Sequence, residues 1–188
     1  MKTVCRENSC TGCMACIGKC TKNAISIKDS LVAYNAVIDE NRCVNCGMCE
    51  KVCPNNQIVK KFKPIAWQEG WATEKIRDDA SSGGAASSLE NGGYVATCLF
   101  RQGEFVFEIT NKLEELINFS GSKYVKSNPL GIYAKVIEKL KNGDKVLFIG
   151  LPCQVAAMKN STAILPNASK EHLYTVDLIC HGSRLLAY

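Results

Sequence analysis

Residues 10–20 read CTGCMACIGKC, and residues 43–54 read CVNCGMCEKVCP. Each run carries four cysteines at x2-x2-x3 spacing: Cys10, Cys13, Cys16 and Cys20 in the first, Cys43, Cys46, Cys49 and Cys53 in the second. The second run repeats the first at a shift of 33 residues, as Cys43 against Cys10 shows. The flanks repeat too, CTKNAISI (20–27) matching CPNNQIVK (53–60) with Ile25 opposite Ile58. Self-similarity of this kind marks an internal duplication, here two copies of a unit of about thirty residues.

Three cysteines spaced three apart curl their sulfurs around one object. A cubane iron–sulfur cluster offers four irons, each needing one thiolate. The fourth Cys of each run is expected to begin a short helical segment that leads away from the loop. In the bacterial C-x2-C-x2-C-x3-C-P run that Cys ligates the other cluster. The expected ligand sets are therefore crossed. Cys10, Cys13, Cys16 and Cys53 should hold one 4Fe-4S cluster; Cys43, Cys46, Cys49 and Cys20 should hold a second. Loss of Cys53 should then harm the first cluster, and loss of Cys20 the second.

Pro54 follows the last ligand of its run and turns the chain; the first run has Thr21 there, which encodes the turn less firmly. Residues 24–27 and 36–38 read as short strands between the runs, consistent with a compact two-fold ferredoxin fold. Zinc is the alternative metal, but zinc sites take cysteines in two separated pairs that close one tetrahedron. So short a head has little core, and it is expected to fold only with its metal bound.

The whole chain has 188 residues, 46% of them hydrophobic, and a formal net charge of +5. Of its twelve cysteines only Cys5, Cys98, Cys153 and Cys180 lie outside the two runs. No apolar leader follows Met1, and no stretch approaches the roughly 20 apolar residues of a membrane span. A cytoplasmic protein is therefore expected, with thiols reduced or metal-bound and an anaerobic setting for its clusters. Clusters such as Lys60-Lys61-Phe62-Lys63 read as solvated surface, so no nucleic-acid partner is expected. The mild positive charge suits docking to acidic partners at most.

The expected fold class is α+β: a two-cluster ferredoxin-type domain over 1–63, a linker over 64–80 and an α/β domain over 81–188. GGYVATCLF and GEFVFEIT read as strands joined at Arg101-Gln102-Gly103. NKLEELIN reads as a helix with Asn111 as its N-cap. In PLGIYAKVIEKLKNG, Ile132, Val136, Ile137 and Leu140 share one face and Gly143 stops the helix. KVLFIG reads as a short buried strand, HLYTVDLIC as another apolar strand and VAAMKN as the start of a helix. Alternation of strands and helices suggests an α/β layer. Cys5 reads as a spare buried thiol, Cys98 as core and His172 as surface. The SSGGAASSL stretch offers backbone N–H groups to a phosphate at a helix start. As composition alone it reads more readily as a flexible polar turn. Cys153 in GLPCQVAAM, and Cys180 and His181 in DLICHG, stand just past strand ends, where open α/β sheets bind ligands. A pair of buried thiols is an equal reading.

SSGG (81–84), GSKYVKS (121–127), VLFIGLPCQVAAMK (146–159) and YTVDLICHG (174–182) follow the two-cluster head in this order. In this the chain resembles the coenzyme F-420 hydrogenase/dehydrogenase beta-subunit family, bacterial members with such a head above all. The resemblance implies an FAD-dependent oxidoreductase subunit that relays electrons between its clusters and a flavin; in some members the flavin exchanges hydride with a deazaflavin. It implies a redox protein partner or a larger oxidoreductase complex. It places Ser81, Ser82, Gly83, Gly84, Lys123 and Tyr124 at the flavin, and Cys153 and Cys180 in signature loops near the redox centre. The family usually has Thr where this chain has Leu151, and a Leu has no hydroxyl to offer a cofactor. The family also continues beyond the CHG motif. The α/β domain is therefore expected to be incomplete, the product of a fragment, a truncated gene or a degenerate copy. Its last strand should be left as an exposed edge, and residues 64–188 should bind FAD weakly or not at all. The alternative function is a ferredoxin-type electron carrier whose tail binds no flavin. A zinc-stabilised binding module is the third reading.

Overall fold

The computed structural model describes residues 1–30, 33–57, 63–71, 73–74, 93–121, 123–180 and 182. The fold is α+β, a ferredoxin-like head followed by a mixed sheet with helices. In the head, β1 (Ile25–Asp29) and β2 (Tyr34–Ile38) form an antiparallel hairpin with Ile25 opposite Ile38. The hairpin is longer than its apolar residues suggest, because Lys28, Asp29, Tyr34 and Asn35 complete the ladder. The amino-terminal segment adds to β2: Val4 N donates to Ala36 O, and Ile38 N donates to Lys2 O.

The duplication extends to backbone conformation. Helices α1 (Ala15–Lys19) and α2 (Met48–Val52) stand at equivalent positions. Each is entered through a left-handed residue, Met14 at φ 58° and Gly47 at φ 69°. Two residues earlier, Gly12 (φ 65°) and Asn45 (φ 53°) repeat the conformation. One expectation is corrected. Cys20 does not begin a helix; Cys20 and Cys53 cap the carboxyl ends of α1 and α2 in extended conformation. The helix forms one ligand earlier, around Cys16 and Cys49, and only Cys53 continues into a further 3-10 turn, Pro54–Asn56. Thr21 serves the turn as well as Pro54 does. Asn23 N donates to Cys20 O and Asn56 N to Cys53 O, both at 3.2 Å.

The rest of the described chain is built on a four-stranded sheet. Strands β3 (Tyr94–Arg101) and β4 (Glu104–Thr110) form a hairpin through Gln102 and Gly103, both left-handed, a turn whose twist matches that of the strands. Strands β5 (Val146–Gly150) and β6 (Leu173–Asp177) run parallel to β3, giving the order β4-β3-β5-β6. Central β5 buries Val146, Phe148 and Ile149, as an apolar run between two neighbours must. The short helix α3 (Leu113–Leu116) has Lys112, not Asn111, at its N-cap. Thr110 Oγ1 takes the Lys112 N–H instead, at 3.1 Å.

Helix α4 (Ile132–Lys141) buries Ile132, Tyr133, Val136 and Leu140 and leaves Ile137 half-buried. Gly143 at φ 83° ends it, and Asp144 N donates to Lys139 O. Helix α5 (Pro152–Thr162) carries no single apolar stripe. It packs on β5 and β6 on one side and on α1, α2 and the Pro54–Asn56 turn on the other, so it is buried on two faces. Its hydroxyls turn inward on its own backbone, Ser161 to Ala157 O and Thr162 to Met158 O. The short α6 (Asn167–Lys170) leads to β6. The molecule is thus layered: sheet, then α4 and α5, then the head.

Residues 63–71 run exposed, with Ile65, Trp67 and Trp71 in solvent. Two sequence expectations shift. Cys98 is half-buried beside the core rather than within it. His172 is half-buried, and its Nδ1 is buried with no hydrogen-bond partner among the described residues. Among the described residues no helix is long and apolar enough to cross a membrane.

Leu140 is 0% exposed at the centre of the α4 face, whereas Ile137 lies at its margin. Leu140→Ala is expected to cost about 2–5 kcal/mol, and Ile137→Ala clearly less, because only the first leaves an unfilled core cavity. Urea unfolding of the two variants checks the order.

Candidate metal centre

The two cysteine runs do not make two separate sites. Cys13, Cys16 and Cys53 are buried and Cys10 is half-buried. The Cys16 thiol lies in the electrostatic field of Cys13, Cys10 and Cys53, so the fourth Cys of the second run is gathered with the first three of the first run. On the other side, Cys49 lies in the field of Cys20. This second group is more open: Cys20, Cys43 and Cys49 are half-buried, and Cys46 is exposed. Backbone donors repeat in both: Gly12 N donates to Cys10 Sγ and Asn45 N to Cys43 Sγ, each at 3.4 Å. Ala24 N donates to Cys20 Sγ at 3.4 Å. Such N–H···S bonds hold the sulfurs in place and favour extra negative charge on them.

The donor set suits a cluster of positive irons. Burial pushes the Cys13 thiol up to about 11 and the Cys16 thiol higher still, with neighbouring thiols adding repulsion. Burial likewise raises Cys10 and Cys49. A buried thiol of this kind loses its proton readily when its sulfur binds a metal cation. A single zinc needs its sulfurs about 2.3 Å from one ion. Among the described residues no three His, Cys, Asp or Glu side chains form a group that could hold one metal ion.

The first thiol group is tied to the α/β layer. Tyr133, from α4, donates its hydroxyl to Cys13 O at 2.8 Å in a buried contact. Lys126 donates to Thr11 O. A methyl on Gly12 would stand 2.8 Å from the Tyr34 ring and 2.9 Å from Lys126 Cε, so glycine here gives the space in which these side chains close on the loop. Asn160 Nδ2, from α5, donates to Val52 O at 3.4 Å. Cys153, in the first turn of α5, lies within the field of Cys13 and Tyr133.

The loop before α4 is fastened to the same place. Gln154 is 1% exposed; its Oε1 takes the Leu151 N–H at 2.9 Å and its Nε2 donates to Ser127 Oγ at 3.1 Å. Leu151 caps α5 without a hydroxyl, and Gln154 reaches back to accept the N–H of Leu151. Lys123 spends its ammonium on Phe119 O (2.6 Å) and Ser120 O (2.7 Å), beside the Cys98 thiol. Burial presses the pKa of Lys123 down. Tyr124 is exposed.

Ser81, Ser82, Gly83, Gly84 and His181 lie outside the described residues. Cys153 and Cys180 leave the carboxyl ends of adjacent parallel strands but have different neighbours. Cys153 is turned to the head; Cys180 accepts from Gly182 N at 3.3 Å, next to exposed Leu178 and Ile179. Sequence reasoning missed Tyr133, Lys126 and Gln154 as the ties between head and sheet. Tyr133 was legible in principle, since 133, 136 and 140 fall on one helical face. The partners of Lys126 and Gln154 are 115 and 27 residues away, and nothing local marks them.

Tyr133→Phe keeps the ring and leaves the buried Cys13 carbonyl unpaired. It is expected to cost about 1–3 kcal/mol with the metal content unchanged. Anaerobic urea unfolding together with iron analysis checks both halves of that expectation.

Comparison with known protein families finds two matches. Residues 9–57 match the family described as 4Fe-4S dicluster domain. Residues 143–185 match the family of the carboxyl-terminal part of the coenzyme F420 hydrogenase/dehydrogenase beta subunit. No curated protein matches the chain. The first match makes the head an iron–sulfur, electron-transfer domain, and the second belongs to a subunit type that works with other redox proteins. With a dicluster match at its head and this match near its other end, the chain is similar to the coenzyme F420 hydrogenase/dehydrogenase beta-subunit-like family.

Proposed function

We propose that this chain is an iron–sulfur oxidoreductase subunit that relays electrons between an outside redox partner and a flavin held by its α/β part. In this reading Cys10, Cys13, Cys16 and Cys53 hold the inner 4Fe-4S cluster, and Cys43, Cys46, Cys49 and Cys20 the outer one. When bound, clusters of this type pass single electrons, and a flavin converts between one- and two-electron chemistry.

The carrying observation is the unequal placement of two equivalent thiol groups. The first is buried, and Tyr133 and Lys126 fasten its loop to the α/β layer. The second presents exposed Cys46 and Val44 to solvent. Among the described residues the second group is the more open to an outside partner. The first faces Cys153 and the loop of Lys123 and Ser127, the stretch that resembles the family's flavin site. Gln154 and Lys126 supply the positioning: one fixes this loop to the start of α5, the other to the cysteine loop.

Anaerobic reconstitution with iron, sulfide and FAD, followed by gel filtration and quantitation, tests the reading. About eight irons per chain is expected for two 4Fe-4S clusters, and flavin that co-elutes with the protein would complete the relay despite the weak FAD binding expected from the sequence. Clusters without flavin would leave a ferredoxin-type carrier, and zinc in place of iron would remove both readings.

Cys20→Ala tests the crossed ligand sets. Iron is expected to fall by about half, with the loss in the cluster of Cys43, Cys46 and Cys49 rather than in that of Cys20's own run. Paramagnetic spectra of the reduced variant distinguish the two. Loss of the inner signal instead would show each run closing on itself.

A further inference from the structure

One thiol outside the two runs stands at the inner site. Cys5 is 7% exposed, and its sulfur lies in the electrostatic field of Cys53 and next to Cys10. Its segment is held against the turn that carries Cys53. Asn56 Nδ2 donates to Val4 O at 2.8 Å, and Asn55 Nδ2 donates to Ser9 O at 2.5 Å and lies 3.9 Å from Cys5 Sγ. Cys5 is therefore fixed relative to Cys53 by three side-chain contacts on consecutive residues of one turn. It also lines a cavity of about 520 Å³ with Arg6, Gly47, Glu50 and Lys51, which leaves room for its side chain to shift. The duplication gives the outer site no such thiol: the position equivalent to Cys5 is Ile38, a buried residue of β2.

We infer that Cys5 is a reserve ligand of the inner cluster, able to take the iron position of Cys53 when Cys53 is lost. This rests on the proposed grouping of Cys10, Cys13, Cys16 and Cys53 as one ligand set. The exchange is simple in its balance. The Cys5 thiol releases its proton to solvent, its sulfur forms the bond to iron that Cys53 no longer makes, and no electron moves. A thiolate is the donor such an iron prefers, and one already packed against the departing ligand has the least chain to reorder. The inner site is thereby buffered against damage to Cys53, while the outer site is not buffered against damage to Cys20.

The test compares the anaerobically reconstituted full chain with Cys5→Ala, Cys53→Ala and the double variant, reading iron, sulfide and the paramagnetic spectrum. The wild type and Cys5→Ala should each hold about eight irons, as two 4Fe-4S clusters require. Cys53→Ala should keep nearly all of that iron, with a changed inner signal. The double variant should fall to about half or fail to fold. Cys53→Ala that loses the inner cluster by itself, or that does not fold, overturns the inference, as does a double variant that keeps the iron of Cys53→Ala. A wild type without iron and sulfide would instead remove the ligand reading beneath it, so the two failures are told apart.

Discussion

The bond from the Tyr133 hydroxyl to the Cys13 carbonyl joins the two halves of this molecule. It lies where burial makes a hydrogen bond costly to lose, because neither group can turn to water instead. Behind it stands a column of rings: Phe107 stacks on Phe148 at 5.7 Å, and Phe148 meets Tyr133 at 6.2 Å. The column runs from β4 through β5 to α4 and ends on the cysteine loop. The placement of the first thiol group therefore depends on sheet packing far from it in sequence. Lys126 and Asn160 fasten the same junction on either side.

That junction breaks the symmetry of a duplicated unit. The two halves of the head share dihedral angles, turn hydrogen bonds and N–H···S contacts, so locally they are near copies. Helix α5 packs on both, but Tyr133 of α4 and Lys126 reach only the cysteine loop of the first among the described residues. Burial and hydrogen bonding to sulfur are among the protein's means of setting cluster potentials. A symmetric sequence repeat thus acquires two differently buried groups of thiols through packing.

Helix α5 makes the covering possible. A helix at the surface of a sheet normally shows one apolar face, but this one must meet the sheet and the head at once. Its residues are accordingly small or uncharged on both sides, Ala157 and Met158 among them, with Ser161 and Thr162 satisfied by their own helix. Gln154 is the polar residue that helix start requires. In one position it accepts the Leu151 N–H and holds the loop of Ser127.

The head was legible in the sequence because its information is local. Cysteine spacing, the 33-residue repeat and the flanking turns all act within a few residues, and the strands β1 and β2 followed from alternation beside them. Helix α4 and strand β5 were legible for the same reason, a helical face and a short apolar run. The start of helix at Cys16 rather than after Cys20 was not, since the left-handed entry at Met14 is not a conformation its residue type advertises. The fate of Cys98, His172, Cys153 and Cys5 also lay beyond local pattern, because a lone thiol or imidazole carries no period. By itself the sequence determined what the head can bind and how the sheet is ordered along the chain. Only the tertiary structure decided which group of thiols is buried and which residues bind head to sheet, because those outcomes depend on contacts between segments that no local propensity connects.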